Sequence, residues 1–264
     1  CHRHGPRILA MAHYQQQRFV DIARSHYPDF FWGKSILEVG SWNVNDTVRR
    51  FFTGCRYVGA DIAEGRGVDV VCPGQDLAFS NDEFDLVISG ECFEHNPQWV
   101  ATFENMHRML KPGGLCLITC ASIGRREHGT QRKAPNTSLT AQAGHDDHYR
   151  NLSKKDFLNH FDLGRMFDAH EMFYNVHCDD FYFIGIKAGG PGFKTIPSLL
   201  KNQVRDIREA QAPGPLRVAC KNLSFWMTFA WAALLGEDNY HGLRFNISRR
   251  LKWLRSLRSS VLRK

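Results

Sequence analysis

No stretch constrains the chain more than Ser35-Ile-Leu-Glu-Val-Gly-Ser-Trp-Asn-Val-Asn45. Ser35 to Val39 reads as a short, buried parallel strand and Gly40 as the turn that ends it. Asn45 is placed to cap a following helix whose apolar face is Val48, Phe51 and Phe52. Strand, glycine turn and helix start together make a nucleotide-type site. A residue without a side chain lets a ligand approach the backbone, and N–H groups at a helix start face an anionic group. Glu38 stands at the carboxyl end of the strand, where open α/β sheets bind their ligands.

The pattern repeats downstream. Arg56 to Asp61 is a second buried strand ending in an acid, 21 residues past Gly40. An acid there can take two hydrogen bonds from a ribose diol; capping the next turn is the plainer role. Val68 to Val71 and Phe84 to Ser89 are a third and a fourth strand. Pro97 opens a helix to Leu110 with Trp99, Val100, Phe103, Met106 and Leu110 on one face. Lys111-Pro-Gly-Gly114 is the turn after it, and Leu115 to Ala121 a fifth strand. A polar loop from Ser122 to about Asn151 follows, long enough in a compact domain to suggest function. Ser153 starts a helix to His160. Phe173 to His177 and Phe181 to Lys187 form a hairpin around Cys178-Asp-Asp180. Before all this, His13 to Ser25 is a helix with Phe19, Ile22 and Ala23 on one face, covering the sheet or the cleft. The fold class is therefore α/β: a Rossmann-like, seven-stranded, mostly parallel sheet closed by an antiparallel hairpin.

Charge divides the chain. Residues 1–190 carry 20 Lys and Arg against 23 Asp and Glu, whereas residues 191–264 carry 14 against 4, so the basic balance belongs to the tail. We expect a main domain over 1–190 and a basic helical extension over 191–264. In the extension, Phe225, Trp226, Phe229, Trp231, Leu234 and Leu235 make an aromatic-rich helix. Ile247, Leu251, Leu254 and Val261 then line one face of a helix flanked by arginines and lysines. That basic amphipathic pattern over 247–264 suits an anionic membrane surface; packing on the sheet or in a homo-oligomer is the alternative. Nucleic acid is disfavoured, because the main domain is slightly acidic and no base-reading motif appears. No apolar run reaches the roughly 18 residues that span a bilayer. The chain opens at Cys1 without a signal-peptide pattern, and Met11 is a candidate native start.

None of the eight cysteines forms a Cys-x-x-Cys pair. Cys116 and Cys120 face the same way along one strand, about 13 Å apart, too far for a disulfide. We read all eight as reduced thiols of a cytoplasmic protein, at most peripheral to the inner face of a membrane.

Four pieces in order carry a resemblance: Ile36-Leu-Glu-Val-Gly40, Tyr57-Val-Gly-Ala-Asp61, Phe84-Asp-Leu-Val-Ile-Ser-Gly-Glu-Cys-Phe-Glu-His95 and Met109-Leu-Lys-Pro-Gly-Gly-Leu115. Together with the final hairpin they resemble the class I S-adenosylmethionine-dependent methyltransferases, over about Ser35 to Lys187. The resemblance implies S-adenosyl-L-methionine as cofactor. It implies that Glu38 and Gly40, with Ser41 and Asn45 on the same loop, lie by its methionine end. Asp61 would hold the ribose, Ile62 would pack on the adenine, and Asp76 with Leu77 would contact the adenine edge. Gly90 and Glu91 would line the cleft below the sulfonium. The sequence departs from the usual acid-x-Gly-x-Gly-x-Gly pattern, with Trp42 and Val44 where the second and third glycines stand. The form Glu-Val-Gly-Ser-x-x-Val-Asn looks like a subgroup found with bacterial surface-polysaccharide genes. So do Glu127-His-Gly-Thr130, Pro135 to Thr140 and His148-Tyr-Arg-Asn-Leu-Ser153.

By that resemblance the acceptor is a glycan, specifically a sugar hydroxyl of a surface glycan or its lipid-linked precursor, or else a small molecule. A hydroxyl acceptor needs its proton removed, and the candidates are His95, His145, Asp147 and His148. His95 has a structural role as its alternative. His128, Tyr149 and Arg150 are candidates to bind a sugar face or a phosphate, with docking of the loop as the alternative. His145-Asp-Asp-His148 also has the composition of a divalent-metal site, although no metal is expected. Glu94 and His107 read as structural.

Overall fold

The structure is a computed structural model that describes residues 14–43, 46–142, 144, 147–207, 215–236, 239–240 and 243. Val44, Asn45, His145, Asp146 and the basic helix expected over 247–264 lie outside the described residues.

Seven strands form one sheet in the order β3-β2-β1-β4-β5-β7-β6. They are β1 (Ser35–Val39), β2 (Arg56–Asp61), β3 (Val70–Val71), β4 (Phe84–Gly90), β5 (Leu110–Ala121), β6 (Phe167–Asn175) and β7 (Asp180–Lys187). The first five run parallel, and β7 is antiparallel to both β5 and β6. The expected Rossmann-like sheet with an antiparallel hairpin is therefore the fold. Its helices are α1 (Tyr14–His26), α2 (Trp99–Met109), α3 (Leu139–Gln142), α4 (Lys154–His160), α5 (Leu163–Met166), α6 (Ser198–Arg205) and α7 (Pro215–Leu235).

Both faces of the sheet are covered, so its strands read as continuous apolar runs. Alternation along each strand sends neighbours to opposite sides. Leu37, Val87, Cys116 and Ile118 face the Phe103 and Met106 side of α2 and Phe157 of α4. Ile36, Leu86, Leu115 and Leu117 face Phe19 and Ile22 of α1 and Leu200 of α6. Cys116 and Cys120 share one face as expected, and both are free and buried. Phe225 of α7 is buried and its ring stands 6.0 Å from that of Tyr174 on β6. No helix among the described residues is long and apolar enough to cross a membrane.

Four local expectations are corrected. Among the described residues between Gly40 and β2 there is no α-helix, only a 3-10 turn over Val48–Phe51, capped by Thr47, whose hydroxyl accepts from the Arg49 N–H. The third strand is two residues long. Asp69 still donates its N–H to the Gly59 carbonyl, but the Gly59 N–H is taken by the Asp69 side chain and not by a backbone carbonyl, and the regular pairing starts only at Val70. α2 starts at Trp99, not Pro97, because the Asn96 side chain takes the Gln98 N–H and builds a turn there. Lys111-Pro-Gly-Gly114 is not a free turn but an irregular part of β5. Leu110 pairs with Phe84 and Leu115 with Leu86, so the extra residues bulge out, with Gly113 at φ +77°.

Candidate active site

The site lies at the carboxyl ends of β1, β2 and β4. Gly40 leaves β1 at φ +81°, and a Cβ there would lie 2.5 Å from the Cβ of Cys92. Glycine is thus needed twice, for the left-handed backbone and for the approach of the loop after β4. The N–H groups of Gly40 and Ser41 both donate to the Ala60 carbonyl, which binds the loop to β2. Asp61 completes the join. Its Oδ2 accepts from the Trp42 N–H at 3.0 Å and its Oδ1 from the Ile62 N–H at 2.8 Å. Burial raises the Asp61 pKa, opposed by these two donors. Each oxygen keeps a second lone pair for a hydroxyl.

Val39, Gly40, Trp42, Asp61, Ile62 and Gln75 line the main cleft on one side, and Glu91, His95 and Leu139 are on the other. Where Asp76 and Leu77 were expected, the wall is Cys72 to Gln75; Asp76 is exposed and Leu77 is in the core. Asn105 of α2 holds this wall, donating to the carbonyls of Gly74, Gln75 and Leu77. A second, smaller chamber opens on the far side of Gly40 and Trp42, lined by Gln16, Glu38, Ser41, Ser89, Gly90 and Thr119. Glu38 accepts a 2.8 Å hydrogen bond from the Tyr57 hydroxyl. Burial pushes its pKa up to about 7 against that bond and the Arg49 charge.

Beyond β4 the chain turns sharply, with Glu91 at φ +51° and its N–H on the Thr119 carbonyl. The Glu91 carboxylate lies 3.4 Å from a guanidinium nitrogen of Arg125, which is buried and also bonds Asp180 and the Cys178 carbonyl. A short 3-10 turn then brings Glu94 and His95 inward, 0% and 5% exposed. The His95 ring meets those of His128 and Tyr149 edge-on at 5.3 and 5.4 Å. Burial, and then His128, lower the His95 pKa to about 3, although a backbone group of His148 beside the ring opposes this. The imidazole is therefore neutral at physiological pH. Burial and the neighbouring Glu91 raise the pKa of Glu94 well above the carboxylate range.

The long loop divides. His128 and Tyr149 turn inward to His95, each also bonded to the Arg126 carbonyl, at 3.1 and 3.2 Å. Asp147 is exposed and accepts from the Gln131 N–H at 2.8 Å. Arg150 is exposed on Asp156, at the capping box that starts α4, while its N–H donates to the Glu94 carbonyl. Glu94, Arg125 and Asn105 were not singled out as functional by sequence. The spacing Glu91, Glu94, His95 could have found the first, because i, i+3 and i+4 share one face of a turn. Among the described residues, Glu94, His95 and His128 have donor atoms all within 4.8 Å of one another.

Residues 42–118 match a family model described as a methyltransferase domain, the segment that runs from the Trp42 loop through the cleft walls into β5. No curated protein matches the chain. Among solved structures, the chain is similar to the Burkholderia thailandensis 1,6-didemethyltoxoflavin-N1-methyltransferase with bound S-adenosylhomocysteine. The identity there is 14% over 65% of this chain and 79% of that one, at a TM-score of 0.45. It is similar also to Haemonchus contortus phosphoethanolamine N-methyltransferase 2 in complex with S-adenosyl-L-methionine, at 15% identity and a TM-score of 0.48. That match covers 70% of this chain and only 55% of the other.

Proposed function

We propose that the protein is an S-adenosyl-L-methionine-dependent methyltransferase acting on a sugar hydroxyl of a surface glycan or its lipid-linked precursor. One observation carries the cofactor half. The Trp42 loop and the acid ending β2 are tied together at the mouth of a cleft, within a segment that matches a methyltransferase domain. The residues suit the cofactor. The second lone pairs of Asp61 fit a ribose diol, Ile62 offers an apolar face, and the buried carboxylate of Glu38 fits an ammonium.

S-adenosylmethionine supplies an activated methyl group on a sulfonium. The protein's own work is to hold the acceptor in line with it and to exclude water, which can supply about 7–11 kcal/mol of such a barrier. Gly40 and Trp42 line both chambers, so one ligand can run from Gln75 past Asp61 to Glu38. Glu91 and His95 then face the reacting end. We assign the acceptor proton to His95 of this wall, to His148 or to His145, with Asp147 on the same loop; His145 lies outside the described residues. His128, Tyr149 and Arg150 remain the residues we assign to the acceptor. The glycan assignment is supported by the sequence resemblance.

We assign catalysis to residues 1–190 and attachment to residues 191–264, although Ile196, Leu200, Val204 and Ile207 pack into the α1 face of the core. The basic segment 247–264 fits an anionic surface at the cytoplasmic face of a membrane; flotation with anionic vesicles tests this. A small-molecule O- or N-methyltransferase and a non-catalytic scaffold are the competing readings. Calorimetric titration with S-adenosylmethionine and its demethylated product is the first test, followed by an acceptor screen begun with glycans. Saturable 1:1 binding is expected. No binding at millimolar ligand overturns the reading, and binding without turnover on any acceptor favours the scaffold.

A further inference from the structure

We propose that Glu94, His95 and His128, with Glu91 beside them, form a site for a divalent transition-metal cation at the acceptor side of the cleft.

Burial makes Glu94 hard to explain otherwise. Its side chain is 0% exposed, and beyond its own backbone N–H neither carboxylate oxygen has a hydrogen-bond partner. In its ionised form, with no partner beyond its own backbone, such a carboxylate costs several kcal/mol unless a charge or ligand meets it. The His95 ring is buried too, and neither nitrogen has a side-chain hydrogen-bond partner; only a backbone group of His148 stands beside it. Native interiors rarely leave two adjacent polar side chains in that state. Purely structural residues at these positions would carry that cost for nothing.

The geometry favours an ion over a direct contact. His128 Nδ1 sits 3.1 Å from the Arg126 carbonyl. With the proton on Nδ1 donated to that carbonyl, Nε2 presents a lone pair to the carboxylates. Nε2 lies 3.8 Å from Glu91 Oε2 and 3.9 Å from Glu94 Oε1. Both distances are too long for hydrogen bonds. Two donors that each sit about 2.1 Å from one cation are about 3.0 to 4.2 Å apart, depending on the angle between them. The observed pairs fall in that range. A ligating imidazole whose other nitrogen donates to a backbone carbonyl is the usual support for a metal-bound histidine. Gly129, at φ +62°, lets the loop close over the site: a Cβ there would lie 2.7 Å from His95 Cε1.

Two imidazoles with one or two carboxylates suit Mn²⁺, Fe²⁺ or Zn²⁺ better than Ca²⁺. The His145-Asp-Asp-His148 run, which has the composition of a metal site, is a different set of residues, and Asp147 is exposed and bonded to the Gln131 N–H. Glu91 and His95 line the main cleft, so open coordination positions would face an acceptor there. Paired hydroxyl oxygens, as in a vicinal diol, would fill two of them and lower the pKa of the reacting hydroxyl. His148 would then remain to take the proton. This acceptor role rests on the methyl-transfer reading; the metal site does not.

The full chain, stripped with chelator, is dialysed against Mn²⁺, and bound metal is counted. Pulsed electron paramagnetic resonance on the same sample reads nitrogen coupling to the ion. One Mn²⁺ per chain with coupling from two imidazole nitrogens is expected. Glu94→Gln and His128→Ala should each weaken binding at least tenfold. Should either variant fail to fold, the nitrogen coupling of the wild type decides alone. No stoichiometric Mn²⁺, nor Zn²⁺ in a parallel dialysis, or bound Mn²⁺ without nitrogen coupling, overturns the site. S-adenosylmethionine is titrated into the stripped protein separately. Its failure to bind would sink the methyltransferase reading and leave the metal site standing.

Discussion

The backbone N–H of Trp42 donates to the carboxylate of Asp61 across 3.0 Å, so the loop after β1 is fastened to the end of β2 by a side chain. Where glycines would give such a loop its close approach, this chain has a tryptophan. Its ring lies instead against Gly65, whose missing Cβ would sit 2.5 Å from Trp42 Cδ1. Asp61 therefore has two duties, to shape the loop and to receive a diol.

Asp61→Ala should weaken S-adenosylmethionine binding by about tenfold to a hundredfold, since charge-assisted hydrogen bonds contribute roughly 1.5–3 kcal/mol. Asp61→Asn separates the duties. An amide oxygen can still accept from one backbone N–H, so the loop should hold better than in the alanine variant. Calorimetry reads the affinity and a thermal melt reads the loop. Equal affinity in the wild type and both variants would remove Asp61 from the cofactor site.

Gly40→Ala should destabilise the fold on two counts. The residue has φ +81°, and its new Cβ would collide with Cys92. The left-handed backbone costs an alanine roughly 1–2 kcal/mol, and the clash adds to it. The double variant Gly40→Ala, Cys92→Gly should regain the clash contribution and not the backbone one. A urea-denaturation cycle measures the coupling. If the two substitutions add without interaction, the contact is not limiting.

Glu38 sets a pH dependence. Its folded pKa, about 7, stands above the ordinary 4.5 because the carboxyl is buried. Between those values the folded chain holds a proton that the unfolded chain has lost. Stability from this group is thus fullest below pH 4.5, falls as pH rises and levels off above about 7. The span is about 3 kcal/mol at most. Glu38→Gln keeps an acceptor for Tyr57 and removes the titration. The stability difference between variant and wild type should shift in favour of the variant from pH 4.5 to 7. A difference that stays flat across that window contradicts a buried, titrating Glu38. Cofactor binding at pH 6 should also release a proton, because an ammonium beside Glu38 favours the carboxylate. Calorimetry in buffers of different ionisation enthalpy reads that release.

Much of this was legible in the chain because it is written locally. β1, β2 and β4 are apolar runs with an acid or a glycine at the end, and both faces of a parallel sheet demand such runs. The capping box at Ser153 and Asp156 is likewise contained in four residues. What escaped depends on partners far apart. The crossover after Gly40 has an apolar face suited to a helix, yet it is only one 3-10 turn, with Arg49 committed to Asp69 and Arg50 to Asp46. Glu94 looked structural because nothing in its neighbourhood shows that His128, 34 residues on, will face it. Asn105 is one polar residue on an amphipathic helix until the Gly74 to Leu77 carbonyls come within its reach.

Arg125 gives the sharpest case of a long-range partner. Its guanidinium is buried, bonded to Asp180 and the Cys178 carbonyl and 3.4 Å from Glu91. Two carboxylates thus share one cation in the interior, where desolvation is costly and only the attraction offsets it. Arg125→Met should destabilise the chain by about 3–5 kcal/mol, because it strands Asp180 and leaves Glu91 without its counter-charge. Adding Asp180→Asn should recover part of the loss, since the stranded charge is then gone. Urea denaturation reads both. The pair of variants also bears on the site: Glu91 faces the cleft, and its position depends on Arg125. Asp180 is 0% exposed at the start of β7, so its loss should cost stability while leaving cofactor affinity within about threefold. An Arg125→Met chain as stable as the wild type would show that the buried cation holds nothing together. The turn of the chain beyond β4 would then be set by the backbone at Glu91 alone.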